Sequence, residues 1–180
     1  MHIRKTTMAD MDSVMSIIEE ARRTIAALGI DQWQKGSPNR EMLTEDVFLG
    51  QGHCVEKDDA DNEKIVATFA LIENGEPTYD YIEDGQWLTE DTREDDGISY
   101  LAIHRVAISV ANRGSGVSTA ILNYAADTAR RLGRTSLRID THRGNVVMRR
   151  MLEKHGFTHC GTIYLQNGDP RVAYEYLIEN

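Results

Sequence analysis

The chain has 180 residues, of which 41% are hydrophobic and 27% are charged, and its formal net charge is −9. This length and composition predict one soluble globular domain over residues 1–180, large enough to bury a single core. The acidic balance argues against nucleic acid and against an anionic membrane as partners, because both require clustered positive charge.

The sequence lacks the usual signals for membrane insertion, secretion or metal binding. No apolar run approaches the ~20 residues that span a bilayer, and the first residues lead into a mixed helix instead of an apolar signal-peptide core. Cys54 and Cys160 form neither a disulfide framework nor a zinc pattern. Cys160 lies in an apolar strand context, which favours a buried side chain over a nucleophile. We therefore expect a cytoplasmic protein without a metal.

The N-terminal part of the sequence predicts a short strand, His2 to Lys5, followed by two helices. Thr7-Met8-Ala9-Asp10 resembles a capping box at the first helix start. Apolar residues then recur at helical spacing, namely Met11, Val14, Ile17, Ile18, Ala21 and Ile25. The second helix is predicted over Arg40 to Leu49, with Met42, Leu43, Val47 and Phe48 facing inward. Trp33, in the loop between the helices, fits an acceptor pocket and a core position equally well.

A β-hairpin and a long acidic segment follow. His53 to Glu56 and Ile65 to Ile72 are predicted strands around an acidic turn, Lys57 to Lys64. Glu73 to Gly97 holds ten acidic residues and one basic residue, together with Tyr79, Tyr81 and Trp87. Its charge favours a solvated, mobile loop, which could gather a cationic acceptor. Its aromatic residues favour a covering or interface role instead.

The C-terminal half predicts alternating strands and helices. The strands are Tyr100 to Ser109, Ser136 to Asp140, Phe157 to Leu165 and Arg171 to Ile178; the helices are Val117 to Leu132 and Asn145 to His155, the latter with Val147, Met148, Met151 and Leu152 as its apolar face. This order implies a mixed α/β fold with helices on the faces of a mixed sheet. The strand–helix–strand unit from Tyr100 to Asp140 favours parallel pairing of its two strands.

The turn before the third helix predicts an anion site. Its residues are Arg113, Gly114, Ser115, Gly116, Val117 and Ser118. A helix N-terminus presents unpaired N–H groups and the positive end of the helix dipole, and glycine lets the backbone approach an anion closely. Arg113 adds a charge that pairs with phosphate oxygens. The turn lacks the Gly-Lys-Ser/Thr ending of an NTPase loop and the third glycine of a dinucleotide fingerprint, so neither site is expected.

Two further features of the sequence accompany this turn, namely Asn145 and the run Leu152-Glu153-Lys154-His155-Gly156-Phe157. Together, the three resemble the GNAT superfamily of acyl-CoA-dependent N-acyltransferases. Arg113 and Gly116 match the family pattern Arg/Gln-x-x-Gly-x-Gly/Ala, whereas Ser118 departs from its last small position. The resemblance implies a central, mostly antiparallel sheet with a splayed parallel strand pair and helices on both faces.

The resemblance also implies a cofactor site for acetyl-CoA. The N–H groups of Gly114, Ser115, Gly116, Val117 and Ser118 would hold the pyrophosphate, with Arg113 as its charge partner. The backbone of Val106 and Ile108 would pair with the pantetheine arm. Asn145 would contact the cofactor near the same cleft.

The groups that move protons are less defined. Many family members carry a tyrosine proton donor at the position of Leu152, so that donor is absent here. Either another group serves in its place, or solvent protonates the departing thiolate. His104 is the first candidate for the base that deprotonates an amine, and a hydrogen-bonded histidine of the sheet is its alternative. His142 is a second candidate, for which a loop role is favoured. Asp140 would orient a substrate amine or cap the next turn.

Two functions remain open at this point. One is transfer of an acetyl group to a primary amine, on a cationic small molecule or a peptide N-terminus. The other is an acyl-CoA sensor or scaffold without turnover, which Leu152 and Ser118 favour. The oligomeric state is also open, with a homodimer as one alternative.

Overall fold

The computed structural model describes residues 1–59, 62–90 and 97–179. Its elements are β1 (His2–Lys5), α1 (Met11–Ala26), α2 (Arg40–Phe48), β2 (Gly52–Asp59), β3 (Asn62–Ile72), β4 (Tyr100–Ile108), α3 (Val117–Arg131), β5 (Ser136–Thr141), α4 (Val146–Lys154), β6 (Thr158–Tyr164) and β7 (Pro170–Leu177). Every helix and strand expected from the sequence is present. Over the described ranges, no helix has both the length and the apolar character that a membrane span needs.

The strands follow the order β1-β2-β3-β4-β5-β7-β6 in a seven-stranded sheet. The β4–β5 pair is parallel, and the pairs β1–β2, β2–β3, β5–β7 and β6–β7 are antiparallel. The parallel ladder joins three residue pairs, from Tyr100–Ser136 to Ala102–Arg138, although both strands extend further. This mixed α/β fold confirms the predicted fold class and its parallel pair.

The β2–β3 hairpin is longer than predicted. Residues expected in an acidic turn continue both strands, with Lys57 opposite Lys64 and Asp59 opposite Asn62. Residues 60–61, at the tip, lie outside the described residues. Backbone pairing in the ladder therefore overrides the turn preference that the charged composition indicates.

The chain divides into two compact units. The N-terminal unit comprises Met1–Leu71 and Arg105–Tyr124, and the C-terminal unit comprises Ile72–His104 and the residues from Ala125 onward. The chain passes from one unit to the other at the end of β3, within β4 and again within α3.

The core of the N-terminal unit contains the predicted face of α1. The predicted positions are all buried, namely Met11, Val14, Ile17, Ile18, Ala21 and Ile25. The Asp10 carboxylate accepts the backbone N–H of Thr7 at 2.8 Å, as the capping box predicts. Trp33 packs against the same core cluster, which supports its core interpretation.

The inward face of α2 differs from the prediction at one position. Leu43 is buried and Val47 is partly buried, but Phe48 is 78% exposed. Asp46 is buried in its place, three residues after Leu43 and therefore on the same face of the helix. Its carboxylate accepts Arg105 Nη1 at 2.9 and 3.0 Å, an ion pair that makes an acidic residue tolerable inside the core.

Residues 73–90, here called the strap, form an ordered part of the C-terminal unit. Tyr79 is 1% exposed, in a cluster of buried side chains that also contains Tyr100, Ala102, Ile163 and Ala173. The burial of Tyr79 and the packing of Trp87 against this cluster favour the covering role over a wholly solvated loop. Residues 91–96 of the acidic segment lie outside the described residues.

The strap also contacts the backbone of β6. Glu83 and Thr162 exchange two backbone hydrogen bonds of 2.8 Å. A Cβ atom at Gly85 would lie 1.9 Å from the Cys160 carbonyl oxygen. This approach therefore requires glycine at position 85.

A fully buried ion pair links β5, β7 and the strap. Arg138 Nε donates to Glu175 Oε1 at 3.0 Å, and both side chains are 0% exposed. Ser136 Oγ donates to the same carboxylate at 2.6 Å, and Arg138 Nη2 donates to the Thr89 carbonyl at 2.8 Å. The Arg138 guanidinium also lies 4.4 Å from the centroid of the Trp87 ring. These contacts compensate for the removal of both charges from water.

We expect Arg138→Met to lower the free energy of unfolding by about 3–5 kcal/mol, because it leaves the Glu175 carboxylate buried without its charge partner. Urea denaturation monitored by circular dichroism measures this loss. Arg130→Met is the matched control, since Arg130 is exposed and forms a surface ion pair with Asp127 worth ~0.5 kcal/mol or less. Equal midpoints for the two variants would contradict the structural role of the buried pair.

Candidate active site

The glycine turn of the N-terminal unit presents its backbone at the start of α3. A short 3-10 helix, Val110–Asn112, separates the turn from β4. Gly114 and Gly116 have φ angles of 72° and 84°, in the left-handed region that favours glycine. Ala120 N–H donates to the Gly116 carbonyl at 3.0 Å, so α3 begins directly after the turn. The first N–H groups of the helix therefore have no intrahelical partner.

The space around the two glycines is open. A Cβ atom at Gly114 would meet no protein atom within 4 Å, and one at Gly116 would meet only the Met1 Cε atom at 4.0 Å. Packing within the described residues thus does not require glycine at these positions. The turn fits a phosphate group, because its backbone N–H groups and the positive end of α3 are open to an anion.

Arg113 lies at the edge of this turn with an exposed side chain. Its Nη2 donates to Thr24 Oγ1 at 3.1 Å, and its Nε donates to the Ile108 carbonyl at 3.4 Å. Ser115 Oγ donates to the Asn112 carbonyl at 2.8 Å. These hydrogen bonds hold the turn and the Arg113 guanidinium in place, so that a positive charge lies beside the N-terminus of α3.

Val106 and Ile108 are half-buried residues of β4, and Arg105 before them has a φ angle of 56°. A left-handed residue interrupts the regular alternation of a strand, and here the ion pair to Asp46 holds it. Contacts of Val106 and Ile108 with a pantetheine arm stay a prediction.

His104 is surrounded by residues of the C-terminal unit. Its Nε2 atom lies 3.4 Å from Glu76 Oε2 and 3.5 Å from Tyr79 Oη. Tyr79 Oη donates to Asp140 Oδ1 at 2.9 Å. The structure thus brings two sequence-predicted residues, His104 and Asp140, into one cluster through Tyr79. Asp140 accepts the Tyr79 hydroxyl, and its expected role in orienting an amine or capping the next turn stays a prediction.

The Tyr79 phenol remains protonated in this cluster. Burial, followed by the charge of Asp140 and its hydrogen bond, raises the pKa of Tyr79 well above its ordinary value. A phenol with a raised pKa donates hydrogen bonds but is a poor proton donor in catalysis. Tyr79 therefore orients its neighbours and does not replace the missing donor at position 152.

Glu76 and Tyr79 are absent from the sequence-predicted site residues. Both belong to the strap, whose charge pattern indicated a solvated loop. A usable signal was the spacing of Glu76-Pro77-Thr78-Tyr79, in which proline at a helix start follows a capping carboxylate. That signal predicts an ordered turn but not the partner it meets.

The acetyltransferase (GNAT) family model matches residues 16–157, well over half of the chain. This chain belongs to the GNAT acetyltransferase family. The predicted resemblance is therefore confirmed.

Solved structures give the same result for the fold. A GNAT-family acetyltransferase from Streptococcus agalactiae is 34% identical, with 99% of this chain and 96% of that chain covered and a TM-score of 0.84. A GNAT-family acetyltransferase from Listeria monocytogenes is 16% identical, with coverage of 98% and 94% and a TM-score of 0.65. The second likeness shows the fold alone. A search of curated proteins gives no match.

In the helix α4, where many GNAT members carry a tyrosine, this chain has a leucine. Leu152 is 0% exposed and belongs to the core. Val147, predicted on the same apolar face, is 62% exposed, because it lies in the first turn of α4, before the helix reaches the core. The departure from the family pattern thus affects a packed position, and no protonatable group replaces the tyrosine there.

The residues before α4 have local structural roles. Asn145 Oδ1 accepts the Met148 N–H at 3.2 Å and caps the helix. His142 Nδ1 accepts the Gly144 N–H at 3.0 Å, which supports the loop role favoured from the sequence. Cofactor contact by Asn145 and catalysis by His142 stay predictions. Within the described ranges, no group of three histidine, cysteine or carboxylate residues could hold a metal ion.

We expect both cysteines to resist alkylation in the folded GNAT domain. Each is free and buried, and burial raises the pKa of Cys54 and of Cys160 to about 11. Since the thiolate is the reactive form, iodoacetamide at pH 8 should label neither residue until urea is added. Intact-mass spectrometry counts the adducts. Rapid native labelling of Cys160 would revive the nucleophile interpretation.

Proposed function

We propose that the protein transfers an acetyl group from acetyl-CoA to a primary amine by direct attack of the amine. The single observation that carries this proposal is the open, left-handed glycine turn at the start of α3, in a chain of the GNAT family. Such a turn suits the pyrophosphate of coenzyme A.

The proposed cofactor contacts are those that the resemblance implies. Backbone N–H groups of residues 114–118 would hold the pyrophosphate, and Arg113 would neutralise part of its charge. The strand backbone at Val106 and Ile108 would pair with the pantetheine arm, and Asn145 would lie near the cofactor. When bound, acetyl-CoA supplies an acyl carbon open to direct attack and a thiolate that leaves without a covalent enzyme intermediate.

His104 is the proposed base. It would take the proton that the resting ammonium must lose before its nitrogen can attack the acetyl carbon. As the carbon–nitrogen bond forms and the carbon–sulfur bond breaks, the nitrogen would lose a second proton to water. Since Leu152 offers no proton, water would protonate the departing thiolate, which is a fairly good leaving group. A backbone N–H near Val106 would stabilise the charge that develops on the thioester oxygen.

The acceptor is proposed to be cationic in its resting form, as a small-molecule amine or a peptide N-terminus. Support comes from the Glu76 carboxylate beside the proposed base, from Asp140 on the other side of Tyr79, and from the net charge of −9. Opposite charge raises the local concentration of such an amine. The proposal includes a cytoplasmic location, in keeping with two free thiols, and excludes nucleic acid and membrane partners. Its oligomeric state, including a homodimer, stays open.

A non-catalytic acyl-CoA sensor is the second candidate. The observation that favours it is the burial of Leu152, which leaves α4 without the usual proton donor. The presence of a fixed histidine–carboxylate cluster favours the enzyme over the sensor.

Gly116→Ala should weaken acetyl-CoA binding by about tenfold or more, which corresponds to about 1.4 kcal/mol, because its methyl group enters the space proposed for phosphate. Isothermal titration calorimetry measures the affinity. Gly168→Ala is the matched control: its φ angle is 83° against 84°, and it too has no protein atom near the added Cβ. Both variants should lose about 1–2 kcal/mol of stability through backbone strain.

The phosphate site would be disproved by equal affinities of the two glycine variants for acetyl-CoA. If the unmodified protein binds no acetyl-CoA at all, both the enzyme and the sensor proposals fail.

His104→Gln should lower kcat by about a hundredfold or more and leave the Kd for acetyl-CoA unchanged, because it removes the proposed proton acceptor. Release of the coenzyme A thiol, measured with a panel of primary amines, reports the rate. His159→Gln serves as the control, since His159 is an exposed residue of β6. Acetyl-CoA binding without thiol release across the panel would favour the sensor.

A further inference from the structure

The Nε2 atom of His104 has two oxygen neighbours. Glu76 Oε2 lies 3.4 Å from Nε2, and Tyr79 Oη lies 3.5 Å from it on another side. Both oxygens belong to the strap. Which of the two ring nitrogens carries the proton of neutral His104 depends on whether these oxygens accept or donate hydrogen bonds.

Tyr79 acts as an acceptor towards His104. Its hydroxyl has one proton, and that proton is donated to Asp140 Oδ1 at 2.9 Å. The side of the Tyr79 oxygen that faces Nε2 therefore carries a lone pair. The raised pKa of Tyr79 keeps the phenol protonated and this polarity fixed.

Glu76 is also an acceptor, and three hydrogen bonds hold it in place. Its Oε1 atom accepts the Thr78 N–H at 3.1 Å and the Thr78 hydroxyl at 2.8 Å. Its backbone N–H donates to Tyr100 Oη at 2.8 Å. With Oε1 held by Thr78, Oε2 is left directed at His104.

The position of Tyr79 is supported in turn by the buried part of the strap. Trp87 Nε1 donates to the Tyr79 carbonyl at 2.9 Å, and the two rings lie 5.1 Å apart. The Arg138 guanidinium lies between Trp87 and Tyr100, 4.4 and 4.1 Å from their ring centroids. Packing on both faces leaves Tyr79 little freedom to turn its hydroxyl away.

We propose that Glu76 and Tyr79 are positioning residues that keep the proton of neutral His104 on Nε2, so that Nδ1 is the atom that accepts the proton of the acceptor amine. Because both neighbours of Nε2 are acceptors, this nitrogen must donate, and the lone pair resides on Nδ1. The catalytic half of this inference rests on the proposed function.

The tautomer can be tested without any turnover. Two-dimensional ¹H–¹⁵N NMR of protein labelled in its histidine rings distinguishes Nε2–H from Nδ1–H imidazole, and His104→Gln assigns the signal. We expect the Nε2–H form in the unmodified protein, and a detectable fraction of Nδ1–H in the double variant Glu76→Gln, Tyr79→Phe. An Nδ1–H form in the unmodified protein, or an unchanged tautomer in the double variant, overturns the positioning role.

Kinetics test the consequence for catalysis. Glu76→Gln keeps the size of the side chain and an acceptor for Thr78, so it should fold; we expect kcat to fall about tenfold with an unchanged Kd for acetyl-CoA. Glu83→Gln is the matched control, because Glu83 belongs to the strap but its carboxylate contacts the Tyr164 hydroxyl. Equal kcat values for the two variants overturn the positioning role.

The two levels of the proposal fail separately. Full activity of His104→Gln would refute His104 as the base and with it the catalytic half of the inference, whereas the NMR result would still decide the tautomer. Loss of activity in His104→Gln together with the Nε2–H signal supports both.

Discussion

The C-terminal unit depends on one buried ion pair, between Arg138 and Glu175. Two charges without exposure to water are costly, and the pair persists because nearly every donor and acceptor around it is used, by Ser136, by the strap at Thr89 and by the backbone. A merely hydrophobic pair would bury the same surface without specifying which loop covers it. The charges thereby select one position for an acidic segment that would otherwise remain in solvent.

A series of contacts through the strap connects this ion pair to the proposed base. Trp87 packs on the guanidinium of Arg138 and holds the Tyr79 carbonyl, and Tyr79 then separates His104 from Asp140. A single donor at Tyr79 can serve only one acceptor, so its bond to Asp140 determines what it offers to His104. The buried ion pair and the proposed position of the proton on His104 thus belong to one network of contacts.

The sequence was sufficient to predict the elements whose apolar residues recur at a regular spacing, and the turn that contains glycines. The six predicted apolar positions of α1 are all buried, and the turn at Gly114 and Gly116 has the left-handed geometry that its residues indicate. It was insufficient where a polar residue depends on a distant partner. Asp46 is buried because Arg105 meets it 59 positions later, and Phe48 is exposed as a consequence. Glu76 and Tyr79 reach His104 across 28 and 25 positions, a relation that no local pattern encodes.

The departure at Leu152 and the cluster at His104 support a particular division of chemical work. Leu152 is packed in α4 and offers no proton at that position, and in the proposed function water would protonate the departing thiolate. Removal of a proton from a cationic amine is the harder step, because the amine is protonated at neutral pH and cannot attack until it is deprotonated. In the proposed function, the Glu76 carboxylate beside His104 would favour approach of that cation. Since Glu76 comes from the strap and not from the sheet, recognition of the amine and its deprotonation would be controlled by the same acidic segment.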